Sequence, residues 1–64
     1  MIPTTIRVIL RRSDNTVYSQ ESIPNVCSIE NTLGDDFLFF HDADGKCIAH
    51  VFPFHGMRME VEAV

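Results

Sequence analysis

The side chains best suited to ligate a metal or attack a substrate are three histidines and two cysteines, namely His41, His50, His55, Cys27 and Cys47. Zinc sites usually draw paired ligands from a short Cys-x-x-Cys or His-x-x-x-His segment, and neither spacing occurs in this sequence. We therefore expect no bound metal and no cofactor. An alternative stays open, because a hairpin would place His41 and His50 on adjacent strands, where they would form a small metal- or ligand-binding site.

An acidic loop, Asp42-Ala43-Asp44-Gly45, contains the first residues of a calcium-loop pattern. That pattern requires a bidentate glutamate at its twelfth position, which Pro53 occupies here. The same four residues fit a hairpin turn, since Gly45 supplies the positive φ that such turns require. We interpret the loop as a turn.

Nucleophilic catalysis would need a cysteine beside a histidine in a pocket that excludes water. Cys47 and His50 are separated by an odd number of positions, so a strand directs them to opposite faces. A domain of 64 residues also has little depth for a substrate pocket of ~300 Å³ or more. The sequence predicts a protein that is not an enzyme.

Size and composition predict one domain over residues 1–64 that gains stability by self-association. Apolar residues make up 45% of the chain, which is ordinary for a globular domain. A chain this short buries only about 60% of the surface that its unfolded form exposes. Because an interface extends a small core, we expect a homodimer or larger homo-oligomer.

Charge is unevenly distributed along the chain. Residues 1–12 contain Arg7, Arg11 and Arg12 and no acidic residue. Residues 13–64 contain nine acidic residues and only two basic residues, Lys46 and Arg58. The net charge of −4 disfavours direct nucleic-acid binding, which needs clustered cations. It favours a protein partner with a basic surface.

The cellular location is predicted from the start of the chain, its apolar stretches and its cysteine content. The start of the chain lacks the basic and apolar regions of a signal peptide, and no apolar stretch approaches the ~20 residues that span a bilayer. Two cysteines are few for a small secreted scaffold. We expect a cytoplasmic protein with reduced thiols and no membrane association.

The elements that must position these residues are predicted to be strands. Residues 4–12 alternate, with Ile6, Val8 and Leu10 on one face, and residues 13–16 form a hairpin turn to a return strand over 16–20. Residues 22–33 are ambiguous. Their β-branched side chains favour a strand, whereas Ser22 as an N-cap and Pro24 in the first turn fit a short helix.

The second half gives clearer patterns. Residues 37–41 are apolar on both faces, which predicts a central strand covered on both sides, and residues 46–52 return after the acidic turn. Residues 57–64 alternate, with Met57, Met59, Val61 and Ala63 predicted to face inward. The fold class is therefore all-β, a small antiparallel meander of five to six strands curled into an SH3-like barrel, with an α+β alternative containing one short helix near residues 22–33.

The sequence favours a non-catalytic protein–protein interaction module. A short acidic chain without a catalytic set also suits a phage or mobile-element inhibitor that blocks a host defence complex through an acidic face. An aromatic strand surface that stacks single-stranded nucleic acid is a third possibility, disfavoured by charge. The predicted partner-binding residues are turn acids, outward acids of the last strand and an apolar corner: Asp35, Asp36, Asp42, Asp44, Phe54, Met57, Met59, Glu60 and Glu62.

Overall fold

A computed structural model describes residues 2–32, 37–53 and 55–64, with the side chain of Thr32 also left out. Within these residues the chain forms six β-strands and no helix: β1 (Thr4–Arg11), β2 (Val17–Val26), β3 (Ser28–Thr32), β4 (Phe37–His41), β5 (Cys47–Val51) and β6 (Arg58–Ala63). The prediction of an all-β chain is confirmed.

The strands are arranged in two antiparallel sheets of three strands each. The first sheet has the order β2-β1-β6 and the second has the order β3-β4-β5. In the first sheet, Val8 pairs with Glu21 on one side and with Val61 on the other. In the second, Phe39 pairs with Glu30 and with His50. β4 is therefore central, as its apolar sequence predicts.

Both sheets contribute to one hydrophobic core. Alternation along β1 and β4 directs every second side chain inward, as expected for a half-buried strand. Phe40 is fully buried and Val8 nearly so. The core consists of Ile6, Val8, Leu10, Ile23, Val26, Leu38, Phe40 and Val51.

Two hairpin turns share one geometry. In the turn between β1 and β2, the N–H of Asn15 donates to the carbonyl of Arg12 at 2.8 Å, and Asn15 has a φ of 74°. In the turn between β4 and β5, the N–H of Gly45 donates to the carbonyl of Asp42 at 3.1 Å, and Gly45 has a φ of 80°. Each is a three-residue loop that ends in a left-handed residue. The prediction that Gly45 supplies a positive φ is confirmed.

In the ambiguous segment 22–33, every described residue except Cys27 is strand, so the short helix is wrong for residues 22–32. Between Thr4 and Ile6 the pairing with β2 shifts register, and Asn25 adopts a φ of 64°. This is a β-bulge, which bends a strand and also accommodates Pro24, since a proline lacks the N–H of a ladder. After the bulge the chain passes through Cys27 into β3 of the second sheet.

Strand pairing among the described residues does not close the two sheets into a barrel. Met57 and Met59 pack against the core as predicted. Val61 and Ala63 share the inward face of β6 with Met59 but remain exposed, because β6 is an edge strand and the core beneath β1 does not reach these two positions. The predicted inward positions are therefore only partly covered.

Candidate functional site

The outer face of the first sheet is covered by charged side chains. Arg7 donates to Glu62 and Arg11 donates to Glu60, each at 2.9 Å, across the pairing of β1 with β6. The hydrogen bond from Arg11 lowers the pKa of Glu60 below its ordinary value. Strand pairing thus places the basic first strand beside the acidic last strand, and each compensates the charge of the other.

The outer face of the second sheet is aromatic. Phe37 of β4 stacks on Phe39 with ring centroids 4.9 Å apart, and on Phe52 with centroids 5.0 Å apart. The ring of His50 lies 6.2 Å from Phe37 and 6.1 Å from Phe39. Alternation along β5 puts Ile48 on the same side. We call this surface the aromatic face and define it as Phe37, Phe39, Ile48, His50 and Phe52.

Much of the aromatic face is accessible to solvent. Phe52 is 47% exposed and Ile48 is 37% exposed, while Phe37 and Phe39 are half-buried. Strand β4 is therefore covered by the core on one face only, and the prediction that both of its faces are covered is wrong. The side chains of this small core are enough to cover only one face of each sheet.

The border of the aromatic face carries little charge. Within β3, β4 and β5 the one acidic residue is Glu30, and these strands contain no lysine or arginine. Glu30 Oε1 lies 3.3 Å from His41 Nε2. The arginines cluster elsewhere, because Arg7, Arg11 and Arg58 belong to β1 and β6.

The predicted acidic contacts are divided between different elements. Asp42 Oδ1 accepts hydrogen bonds from the backbone N–H groups of Asp44 and Lys46, both at 2.9 Å, so it stabilises its own turn. Asp44 is exposed in the same turn. Glu60 and Glu62 lie on the first sheet in their arginine pairs. Asp35, Asp36 and Phe54 lie outside the described residues.

A further turn acid is also structural. Asp14 Oδ1 accepts hydrogen bonds from the hydroxyl of Thr16 at 2.6 Å and from its backbone N–H at 3.0 Å. These bonds favour the carboxylate and lower the pKa of Asp14 from its ordinary value of 3.8. Asp14 and Asp42 therefore act on the geometry of their turns, whatever they contribute to binding.

The predicted apolar corner is in part a core element. Met57 and Met59 are half-buried and pack against the core, so they present only part of their surface to a partner. Phe52, two residues before the predicted corner, is exposed and stacks on Phe37 of the second sheet. The exposed apolar surface in this part of the chain is therefore Phe52, which belongs to the aromatic face.

The two histidines of the alternative metal- or ligand-binding site, His41 and His50, contact different neighbours in the structure. His41 interacts with Glu30, whereas His50 stacks on the phenylalanine rings. Among the residues that the structure describes, no three His, Cys, Asp or Glu side chains come together in a way that would hold a metal ion. Cys27 and Cys47 are not joined by a disulfide.

A second apolar feature is a depression beside the start of β1, with a volume of about 540 Å³. It lies where β2 bends into β3, and Ile29 remains 42% exposed at its border. Its lining is mostly aliphatic: Ile2, Thr4, Ile6, Val26, Cys27, Ser28 and Ile29. It contains no charged group and offers no reactive pair.

Sequence reasoning missed Phe37, Phe39, Ile48 and His50 as surface residues. The sequence predicts an apolar corner at Phe54, Met57 and Met59 instead. A sequence signal for this exposed face exists in residues 37–40, where four apolar side chains alternate between the two faces of a strand. A 64-residue chain has one core, so one of the two faces had to remain outside it.

Compared with known proteins, the chain matches no family model, no curated protein sequence and no solved structure. The described part of the chain also contains no helix with the length and hydrophobicity needed to cross a membrane.

Proposed function

We propose that this chain is a non-catalytic protein-binding module that contacts its partner through the aromatic face. The observation that carries the proposal is the contrast between the two outer sheet surfaces. The first is covered by arginine–glutamate pairs, as expected of a solvated surface. The second presents stacked phenylalanine rings. Contiguous exposed apolar patches mark interaction sites, and aromatic residues are enriched among those that dominate binding energy.

A protein partner fits this surface better than nucleic acid does. Stacking platforms for single-stranded nucleic acid combine aromatic rings with a cationic groove that follows the phosphates. Strands β3, β4 and β5 supply the rings without any arginine or lysine, and Glu30 adds negative charge. An apolar partner surface with few charges matches these properties.

A partner with a basic surface that meets the acidic residues is the competing proposal. It rests on the net charge of −4. It is weakened at Glu60 and Glu62, which already face arginines, and at Asp42, whose carboxylate holds its own turn. A phage or mobile-element inhibitor of a host defence complex is a narrower proposal of the same kind, supported by size and charge.

Two finer assignments accompany this function. We assign the fold to an SH3-like arrangement, supported by the way β2 continues through Cys27 into β3 and so serves both sheets. We assign the protein to the cytoplasm, supported by its content of two cysteines, which is low for a small secreted scaffold. Backbone NOEs that show residues 52–57 joining β5 to β6 across the open side would support the first assignment.

The binding proposal is tested by replacing one exposed aromatic residue on each sheet. Phe52 is 47% exposed on the aromatic face, and Tyr18 is 46% exposed on the first sheet, where Arg12 lies over its ring. Tagged wild type, Phe52→Ser and Tyr18→Ser are expressed in the native cells, and co-purified proteins are quantified by mass spectrometry. We expect Phe52→Ser to weaken binding by about 30-fold, which corresponds to about 2 kcal/mol for a central contact. Tyr18→Ser should retain the partner.

A third variant, Asp44→Lys, separates the competing proposals. Asp44 is exposed in its turn, so the substitution changes charge with little effect on folding. Loss of the partner in Asp44→Lys, with retention in Phe52→Ser, would favour the acidic surface and contradict the aromatic one. Equal retention in all three variants would also contradict it.

A further inference from the structure

The exposed edges of the two sheets differ in how they are protected from pairing with other chains. In the described residues, the edge strands are β2 and β6 of the first sheet and β3 and β5 of the second. Natural edge strands usually carry charged residues or prolines, because an open row of N–H and C=O groups would otherwise pair with another strand. Three of these edges follow that rule.

β5 is the exception. The sequence of β2 contains Glu21 and Pro24, that of β3 contains Glu30, and that of β6 contains three charged residues. β5, Cys47-Ile48-Ala49-His50-Val51, has neither a charged residue nor a proline. The described strand pairing uses one side of β5, toward β4. Its other edge carries no charged residue or proline that would prevent pairing with another strand, as is usual for a strand in the interior of a sheet.

We propose that β5 pairs antiparallel with β5 of a second copy of this chain. Side chains directly opposite each other in an antiparallel pair lie on the same face, so the two numbers in each pair must have the same parity. A two-fold axis at Ala49, the middle residue, pairs all five residues. Ala49 then faces Ala49 of the partner subunit, and Ile48 faces His50 of the partner subunit.

A second copy suits this edge for two reasons. β5 has no Asp, Glu, Lys or Arg, so the symmetric pairing brings no like charges opposite each other. The domain also has a thin core, since the Cα atoms extend only 13 Å along the shortest axis, and small domains gain stability from association. The second sheets of the two copies would then form one six-stranded sheet, in the order β3-β4-β5-β5-β4-β3.

This dimer joins the two aromatic faces into one surface. A two-fold axis perpendicular to the sheet keeps both outer faces on the same side, so Phe37, Phe39 and Phe52 of each copy border a common patch. The inference is independent of the proposed partner, because the dimer is measured on the purified chain alone. A failed dimer test leaves the partner test unaffected, and the reverse also holds.

The test compares two substitutions on edge strands. Ile48 on β5 is 37% exposed and Val61 on β6 is 40% exposed, so lysine at either position costs a similar amount of burial. Pairing of five residues is a small interface, so sedimentation velocity is run up to about 100 µM. We expect wild type and Val61→Lys to shift toward twice the monomer mass. Ile48→Lys should stay monomeric with an unchanged circular dichroism spectrum.

A disulfide trap gives a second measurement if Ile48→Lys fails to fold. Ala49→Cys is made together with Cys27→Ser and Cys47→Ser, and mild oxidation is applied. The paired Cα atoms would lie ~4.5–5.5 Å apart, inside the ~4.4–6.8 Å range of disulfides. We expect a covalent dimer, whereas Val61→Cys in the same background should give none. A monomeric wild type at the highest concentration would overturn the proposal, as would a dimer lost in Val61→Lys and kept in Ile48→Lys.

Discussion

Two neighbouring phenylalanines show how position on a strand decides the role of a residue. Phe40 is fully buried, while Phe39 is half-buried and stacks on Phe37 at the outer surface. The sequence predicts a strand here, and alternation predicts that the two rings point in opposite directions. Which ring points into the core, toward the first sheet, does not follow from residues 37–41 alone, because both positions carry the same side chain.

We predict different outcomes for alanine at these two positions. Phe40→Ala removes a fully buried ring and should lower the free energy of unfolding by about 3–5 kcal/mol. A 64-residue domain has a total stability of only roughly 3–10 kcal/mol, so this variant should be largely unfolded. Phe39→Ala loses mainly ring stacking and should cost about 1 kcal/mol. Urea unfolding followed by circular dichroism measures both, and equal losses would show that the two rings are equally buried.

At the scale of the elements, the least predictable feature is the passage of one strand between two sheets. The sequence predicts the turns at residues 13–16 and 42–45 because Asp, Asn and Gly mark them. It predicts strand in residues 22–33 without predicting where that strand bends. The bend depends on a bulge at Pro24 and Asn25, and a left-handed asparagine within a strand follows from tertiary pairing more than from local propensity.

The bulge can be tested at Asn25, which has a φ of 64°. Glycine adopts this conformation without steric cost. Alanine and asparagine both place a Cβ near the following carbonyl, at a cost of roughly 1–2 kcal/mol, but alanine lacks the short polar side chain whose local hydrogen bonds offset that cost for asparagine. We therefore expect Asn25→Gly to keep or raise the thermal midpoint and Asn25→Ala to lower it. The exposed Asn31→Ala of β3 serves as the control. A thermal midpoint of Asn25→Ala equal to that of Asn25→Gly would show that residue 25 is not left-handed.

For the whole molecule, the two outer surfaces could be predicted only in part. The sequence places arginines early and acids late, which suggests a charge-separated molecule, yet the pairing of β1 with β6 brings Arg7 to Glu62 and Arg11 to Glu60. This compensation depends on a long-range pairing that no local pattern specifies. The aromatic face likewise follows from the limited size of the core. Both surfaces are properties of how the sheets are assembled.

The most direct measurement of the central proposal is site-specific photo-crosslinking in the native cells. A benzophenone amino acid replaces His50 on the aromatic face, Asp44 in the acidic turn, or Gln20 on the first sheet, all exposed positions. We expect the benzophenone at position 50 to form an adduct with a protein other than this chain, and the benzophenone at position 20 to form no such adduct. An adduct at position 44 with none at position 50 would contradict the assignment of the aromatic face as the binding surface.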